Sequence, residues 1–103
     1  MAFKLVSKLF AAGFLALATS LASASAESFR VVGFGDSLMA GYGLDPGQSV
    51  PEKLEASLRD KGHDVVIANA GVSGDTSSGG LSRLDWSVPD ETQLVILELG
   101  AND

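Results

Sequence analysis

Phe29-Arg30-Val31-Val32-Gly33-Phe34 runs directly into Gly35-Asp36-Ser37-Leu38, and these ten residues decide the fold. The apolar positions are near-continuous rather than alternating, the pattern of a parallel strand covered on both faces. Two later stretches share it: Asp64–Ala68, built on Val65-Val66-Ile67, and Gln93–Leu99, built on Leu94-Val95-Ile96-Leu97. Each is followed by glycine and small polar residues, so each strand delivers a loop rather than a further apolar segment.

The segments between the strands read as helices. Ser49 and Glu52 have capping-box spacing, Pro51 suits a first turn, and Gly62 is a stop; Val50, Leu54 and Leu58 form one apolar stripe. A second helix is expected from Thr76–Ser78 to about Trp86, with Leu81 and Leu84 facing inward, Gly79 and Gly80 weakening its start and Pro89 closing it. The order β-α-β-α-β implies right-handed crossovers and a parallel sheet. The expected fold class is therefore α/β: a three-layer α/β/α sandwich of flavodoxin-like type, strand order 2-1-3, with only the first three strands present. In such sheets ligands bind beyond the carboxyl ends of the strands.

Residues 1–26 have the layout of a secretory signal peptide. Lys4 and Lys8 supply the positive start, Leu9 to Leu21 the apolar stretch, and Ala24-Ser25-Ala26 the small residues before a cut expected after Ala26. A retained anchor is the alternative, but the run contains Thr19 and Ser20 and is short for a span of about 20 residues. The expected location is periplasmic or secreted, with no stable membrane insertion after cleavage. Residues 27–103 keep five of the seven basic residues and all thirteen acidic ones, a formal charge of −8. No basic stripe remains for phosphates, so nucleic acid is not expected as a partner. With no cysteine in the sequence, stability must come from packing. The chain stops four residues after Leu99, within a loop of the kind that carries function. The expectation is that 27–103 is the N-terminal part of a larger domain, poorly stable alone because its third strand leaves an edge open.

Three loop residues could carry chemistry. Ser37 lies just past the first strand, where a hydroxyl would stand at the top of the sheet; its ordinary role would be a turn or cap serine. Gly74, within Ser73-Gly74-Asp75-Thr76, could offer its N–H to a substrate oxygen ahead of a helix, or simply serve turn geometry. Asn102 could donate from its carboxamide to a developing oxyanion, or make an Asx-turn. Asp36 and Asp75 are read as holding the loops and capping the second helix, without a proton-transfer role. His63, the single histidine, falls in the turn between the first helix and second strand, the end of the sheet away from the loops, and reads as a solvated turn residue.

Other chemistries fit less well. Leu38 stands where G-x-G-x-x-G needs its third glycine, and Asn69-Ala70 stands where a ribose-binding acid is needed. No Gly-Lys-Ser/Thr exists for a P-loop, and Met39 replaces the last glycine of G-x-S-x-G. One histidine and no cysteine leave metal chemistry without ligands, so neither metal nor cofactor is expected.

Gly35-Asp36-Ser37-Leu38, Gly74 in Ser73-Gly74-Asp75-Thr76, and Gly100-Ala101-Asn102-Asp103 together resemble the first three sequence blocks of the SGNH, or GDSL, hydrolase superfamily. Asn69–Leu84 and Leu97–Asp103 are most similar to its periplasmic acyl-CoA thioesterase, lysophospholipase and arylesterase branch. The resemblance implies a serine esterase acting on small-molecule carboxylic esters and thioesters through an acyl-serine intermediate. Ser37 would be the nucleophile, with the N–H groups of Ser37 and Gly74 and the Asn102 side chain as the oxyanion hole. The family's catalytic Asp and His, three residues apart near the C-terminus, are not in this chain, so the 103 residues alone are expected to be inactive. Carbohydrate O-deacetylation is an alternative within the superfamily. A non-enzymatic, exported flavodoxin-like binding module is another, though it gives no reason for Ser37, Gly74 and Asn102 to occupy three successive strand ends.

Overall fold

A computed structural model describes residues 27–103; the expected signal peptide, residues 1–26, lies outside the described residues. Three strands, β1 (Phe29–Gly35), β2 (Val65–Gly71) and β3 (Leu94–Glu98), form one parallel sheet in the order β2-β1-β3, the arrangement the sequence implies. The register pairs Gly35 of β1 with Gly71 on one side and Glu98 on the other. All three strands thus end at one level, and their loops leave from a common edge.

β2 runs past Ala68 through Asn69-Ala70-Gly71, residues whose composition reads as loop. β1 continues to Gly35 and offers them ladder partners, so backbone pairing outweighs their poor strand propensity.

Helix α1 is a single turn, Ser37–Ala40, and α2 spans Val50–Asp60. Ser49 caps α2: its hydroxyl accepts from the Glu52 N–H at 3.4 Å and donates to the Glu52 carboxylate at 2.7 Å. Leu54, Leu58 and Ile96 pack on Val31, Val65 and Ile67, the core of this side. Full burial of a side chain such as Val31, Val65 or Ile67 contributes about 1.5–3 kcal/mol, and the partly buried Leu54, Leu58 and Ile96 contribute less. Val50 does not join that stripe; it is exposed at the first turn.

Helix α3, Ser77–Ser87, starts where Thr76 accepts from the Gly79 N–H at 3.0 Å. Its buried face is not Leu81 and Leu84, which are 74 % and 40 % exposed, but Gly80 and Arg83. Gly80 explains the rotation. A Cβ there would lie 2.5 Å from the end of the Leu99 side chain and 3.2 Å from the Phe34 ring, so glycine at this position lets the helix backbone lie close on that ring. Phe34 and Val31 point to opposite faces of β1. With α2 over Val31 and α3 over Phe34, the helices flank the sheet as the outer layers of a three-layer α/β/α unit. Among the described residues no helix is long and apolar enough to cross a membrane.

Candidate active site

Ser37 is half-buried and opens α1 immediately after the central strand. The amides around it are engaged. Asp36 N–H donates to the Glu98 carboxylate at 3.3 Å, Leu38 N–H to Asp36 Oδ1 at 3.0 Å, and Ala40 N–H to the Asp36 carbonyl at 2.9 Å. Gly41 and Tyr42 N–H both donate to the Ser37 carbonyl at 3.1 Å. Among the described residues the Ser37 N–H has no such acceptor. Gly41 closes the turn at φ +90°, a conformation that glycine adopts without a Cβ penalty.

Asp36 is fully buried, and its Oδ2 meets no donor among the described residues. Beside it the Glu98 carboxyl is raised above its ordinary pKa, first by burial and then by the Asp36 side chain. The other Asp36 oxygen, Oδ1, is engaged by the Leu38 N–H. Asp36 therefore holds the loop, as its position in the sequence suggests.

The second loop is tied to the first where Val72 N–H donates to the Gly35 carbonyl at 3.0 Å. Gly74 follows in a turn closed by Asp75 N–H on the Val72 carbonyl at 3.1 Å. Its φ is +82°, and a Cβ there would meet nothing within 4 Å. Backbone conformation, not lack of room, is what requires glycine at this position. Asn102 binds the same loop, its side-chain N–H donating to the Asp75 carbonyl at 2.9 Å. Neighbouring Asp103 accepts from Ser77 N–H at 2.7 Å and from the Ser77 hydroxyl at 2.5 Å, fastening the third loop to the start of α3. Those two bonds, the hydroxyl's first, hold the Asp103 carboxyl below its usual range. Gly74 and Asn102 are thus joined through Asp75, and Ser37 is joined to their loop at the end of β1. His63 lies exposed between α2 and β2, at the opposite end of the sheet.

Asp75 does not cap α3; Thr76 does, and the Asp75 carboxylate instead pairs with Arg83 at 2.7 Å. Arg83 is the residue that sequence reasoning missed. It is 7 % exposed, lies 4.2 Å from the Phe34 ring centre, and also donates to the carbonyls of Gly35 and Ala70, both at 3.0 Å, and to Ser87 at 3.2 Å. An arginine on a short polar helix ordinarily reads as solvent-facing; the one available hint was the pair of glycines ahead of it, which let the helix approach the sheet.

Residues 34–103, which include all three loops, match the model of the GDSL-like lipase/acylhydrolase family. The chain belongs to that family. Among curated relatives of this chain, the esterase TesA of Pseudomonas aeruginosa is 44% identical over 96 residues, covering 92% of this chain and 47% of the relative. The thioesterase 1/protease 1/lysophospholipase L1 of Escherichia coli K12 is 37% identical over 91 residues, 87% of this chain and 41% of that protein. The crystal structure of AlinE4, an SGNH-hydrolase family esterase, superposes with a TM-score of 0.70 at 53% identity, covering 78% of this chain and 44% of that one. The chain spans less than half the length of the curated relatives it matches.

Proposed function

We propose that the full-length protein is an exported serine hydrolase that cleaves carboxylic esters and thioesters through an acyl-serine intermediate. The observation that carries this reading is the arrangement of N–H groups around Ser37: its neighbours' amides are engaged, while its own is left for a substrate oxygen. In the proposed reaction Ser37 Oγ attacks the acyl carbon and its proton passes to a base. Negative charge on the former carbonyl oxygen is taken by the N–H groups of Ser37 and Gly74 and by Asn102, whose carboxamide keeps one N–H beyond that given to Asp75. Each such donor contributes about 3–4 kcal/mol to the transition state. The tetrahedral intermediate expels the alcohol or thiol, which takes up the proton, and water then releases the acid from the serine.

His63 is at the wrong end of the sheet to serve as base. The reading therefore assigns that step to the family's Asp-x-x-His pair, outside these 103 residues, and expects the 103-residue chain alone to be inactive. The names of the relatives, an esterase and a thioesterase that is also a lysophospholipase, support esters and thioesters as the substrate class, and the family resemblance favours fatty-acyl groups among them. The same reading has residues 1–26 removed on export to the periplasm or beyond.

The test is reaction of the full-length protein with a fluorophosphonate. Stoichiometric labelling is expected on Ser37 and is abolished in Ser37→Ala with folding intact; labelling elsewhere, or none, refutes the mechanism. Relative rates on acyl-CoA, p-nitrophenyl esters and acetylated sugars then assign the substrate class.

A further inference from the structure

The guanidinium of Arg83 bonds groups at the ends of two strands and in the loop between β2 and α3. Nη2 donates to the Gly35 carbonyl and Nη1 to the Ala70 carbonyl, while Nε pairs with the Asp75 carboxylate at 2.7 Å. Gly35 stands two residues before Ser37, Asp75 follows Gly74 directly, and the Asp75 carbonyl accepts from Asn102. We infer that Arg83 is a positioning residue for acyl transfer, fixing the nucleophile loop relative to the oxyanion loop through their backbones. The inference rests on the reading of Ser37 and Gly74 proposed above.

The surroundings are built for this group. Phe34 stacks on the guanidinium, and Gly79 leaves space that a Cβ would take from the Asp75 carboxylate. A planar fork meets two carbonyls and a carboxylate in fixed directions, which a lysine ammonium, a compact point charge, cannot reproduce. Strand ends held this way set the distance from Ser37 Oγ to the oxyanion donors, where an error of about 1 Å costs on the order of 10²-fold in rate.

The test uses the full-length protein, with Ser37→Ala as the labelling control. Arg83→Lys retains the charge. The double variant Arg83→Met with Asp75→Asn removes both members of the ion pair, a change buried pairs tolerate better than loss of one partner. Cooperative melts report folding, while kcat and KM on a p-nitrophenyl ester and the rate of fluorophosphonate labelling report the site. The expected result is folded protein with KM within about twofold of the parent, kcat lower by about 10-fold in Arg83→Lys and about 10²-fold in the double variant, and labelling slowed in parallel. Folded variants with kcat within about threefold of the parent overturn the inference. So does activity lost only in step with loss of fold, which would make Arg83 part of the scaffold alone. A parent protein that is not labelled at Ser37 defeats the nucleophile reading itself, an outcome seen before any Arg83 variant is measured.

Discussion

Gly71→Ala tests how tightly the turn that carries Ser37 is seated. Gly71 ends β2 against α1, and a Cβ added there would stand 2.6 Å from Ala40 Cα and 2.8 Å from the Met39 carbonyl carbon, with the Ala40 nitrogen nearer still. Ordinary contact begins at 3.4 Å, so α1 has to retreat by about 1 Å. The obstructing atoms are backbone, and no change of rotamer relieves them. Ala40 N–H is bonded to the Asp36 carbonyl at 2.9 Å, so the turn moves as a unit and carries Ser37 with it. Overpacking of this kind costs about 1–3 kcal/mol of stability. In the proposed mechanism a displacement of about 1 Å at Ser37 costs on the order of 10²-fold in kcat. The assay is kcat on a p-nitrophenyl ester beside a urea melt of the full-length protein. A Gly71→Ala variant with parental kcat and parental stability would refute the claim that β2 sets the position of the serine.

Two further outcomes follow from the carboxyl and carboxamide groups at the strand ends. Because the Glu98 pKa is raised on folding, the folded chain still holds a proton that the unfolded chain has released once pH passes the ordinary carboxylate value; this contribution therefore lowers stability as pH rises from there to the raised pKa. Glu98→Gln keeps an acceptor for Asp36 N–H but has no titrating carboxyl, so urea melts across mildly acid to neutral pH should lose that slope; curves running parallel to the parent's would contradict it. Asn102→Ala should lower kcat by about 10²–10³-fold with little change in KM, measured by steady-state hydrolysis, since it removes a donor that the proposed mechanism uses in the transition state.

The strands and their order were legible because unbroken apolar runs separated by capped helical segments leave few arrangements for a parallel sheet. The grouping of Ser37, Gly74 and Asn102 at one edge follows from the same pattern, since each lies just beyond a strand. What escaped is tertiary in origin. Gly79 and Gly80 read as weak points in a helix when considered for propensity alone, yet they let α3 approach Asp75 and Phe34, turning Leu81 and Leu84 outward. Arg83 and Glu98 were unreadable for a related reason: a charge gives no local sign of whether its partners lie in solvent or in backbone brought from elsewhere. The extension of β2 to Gly71 depended on β1 reaching Gly35, which neither segment states by itself.

The central place of β1 also has a consequence in time. Its outer partner arrives late: Glu98 accepts from the amide of Asp36 across 62 positions of chain. Closing so long a loop is a slow, non-local event. Until β3 docks, the serine turn lacks one wall and the carboxyl that steadies it. The geometry that the proposed mechanism asks of Ser37 therefore arises only once β3 has completed the sheet, however early the serine itself is made.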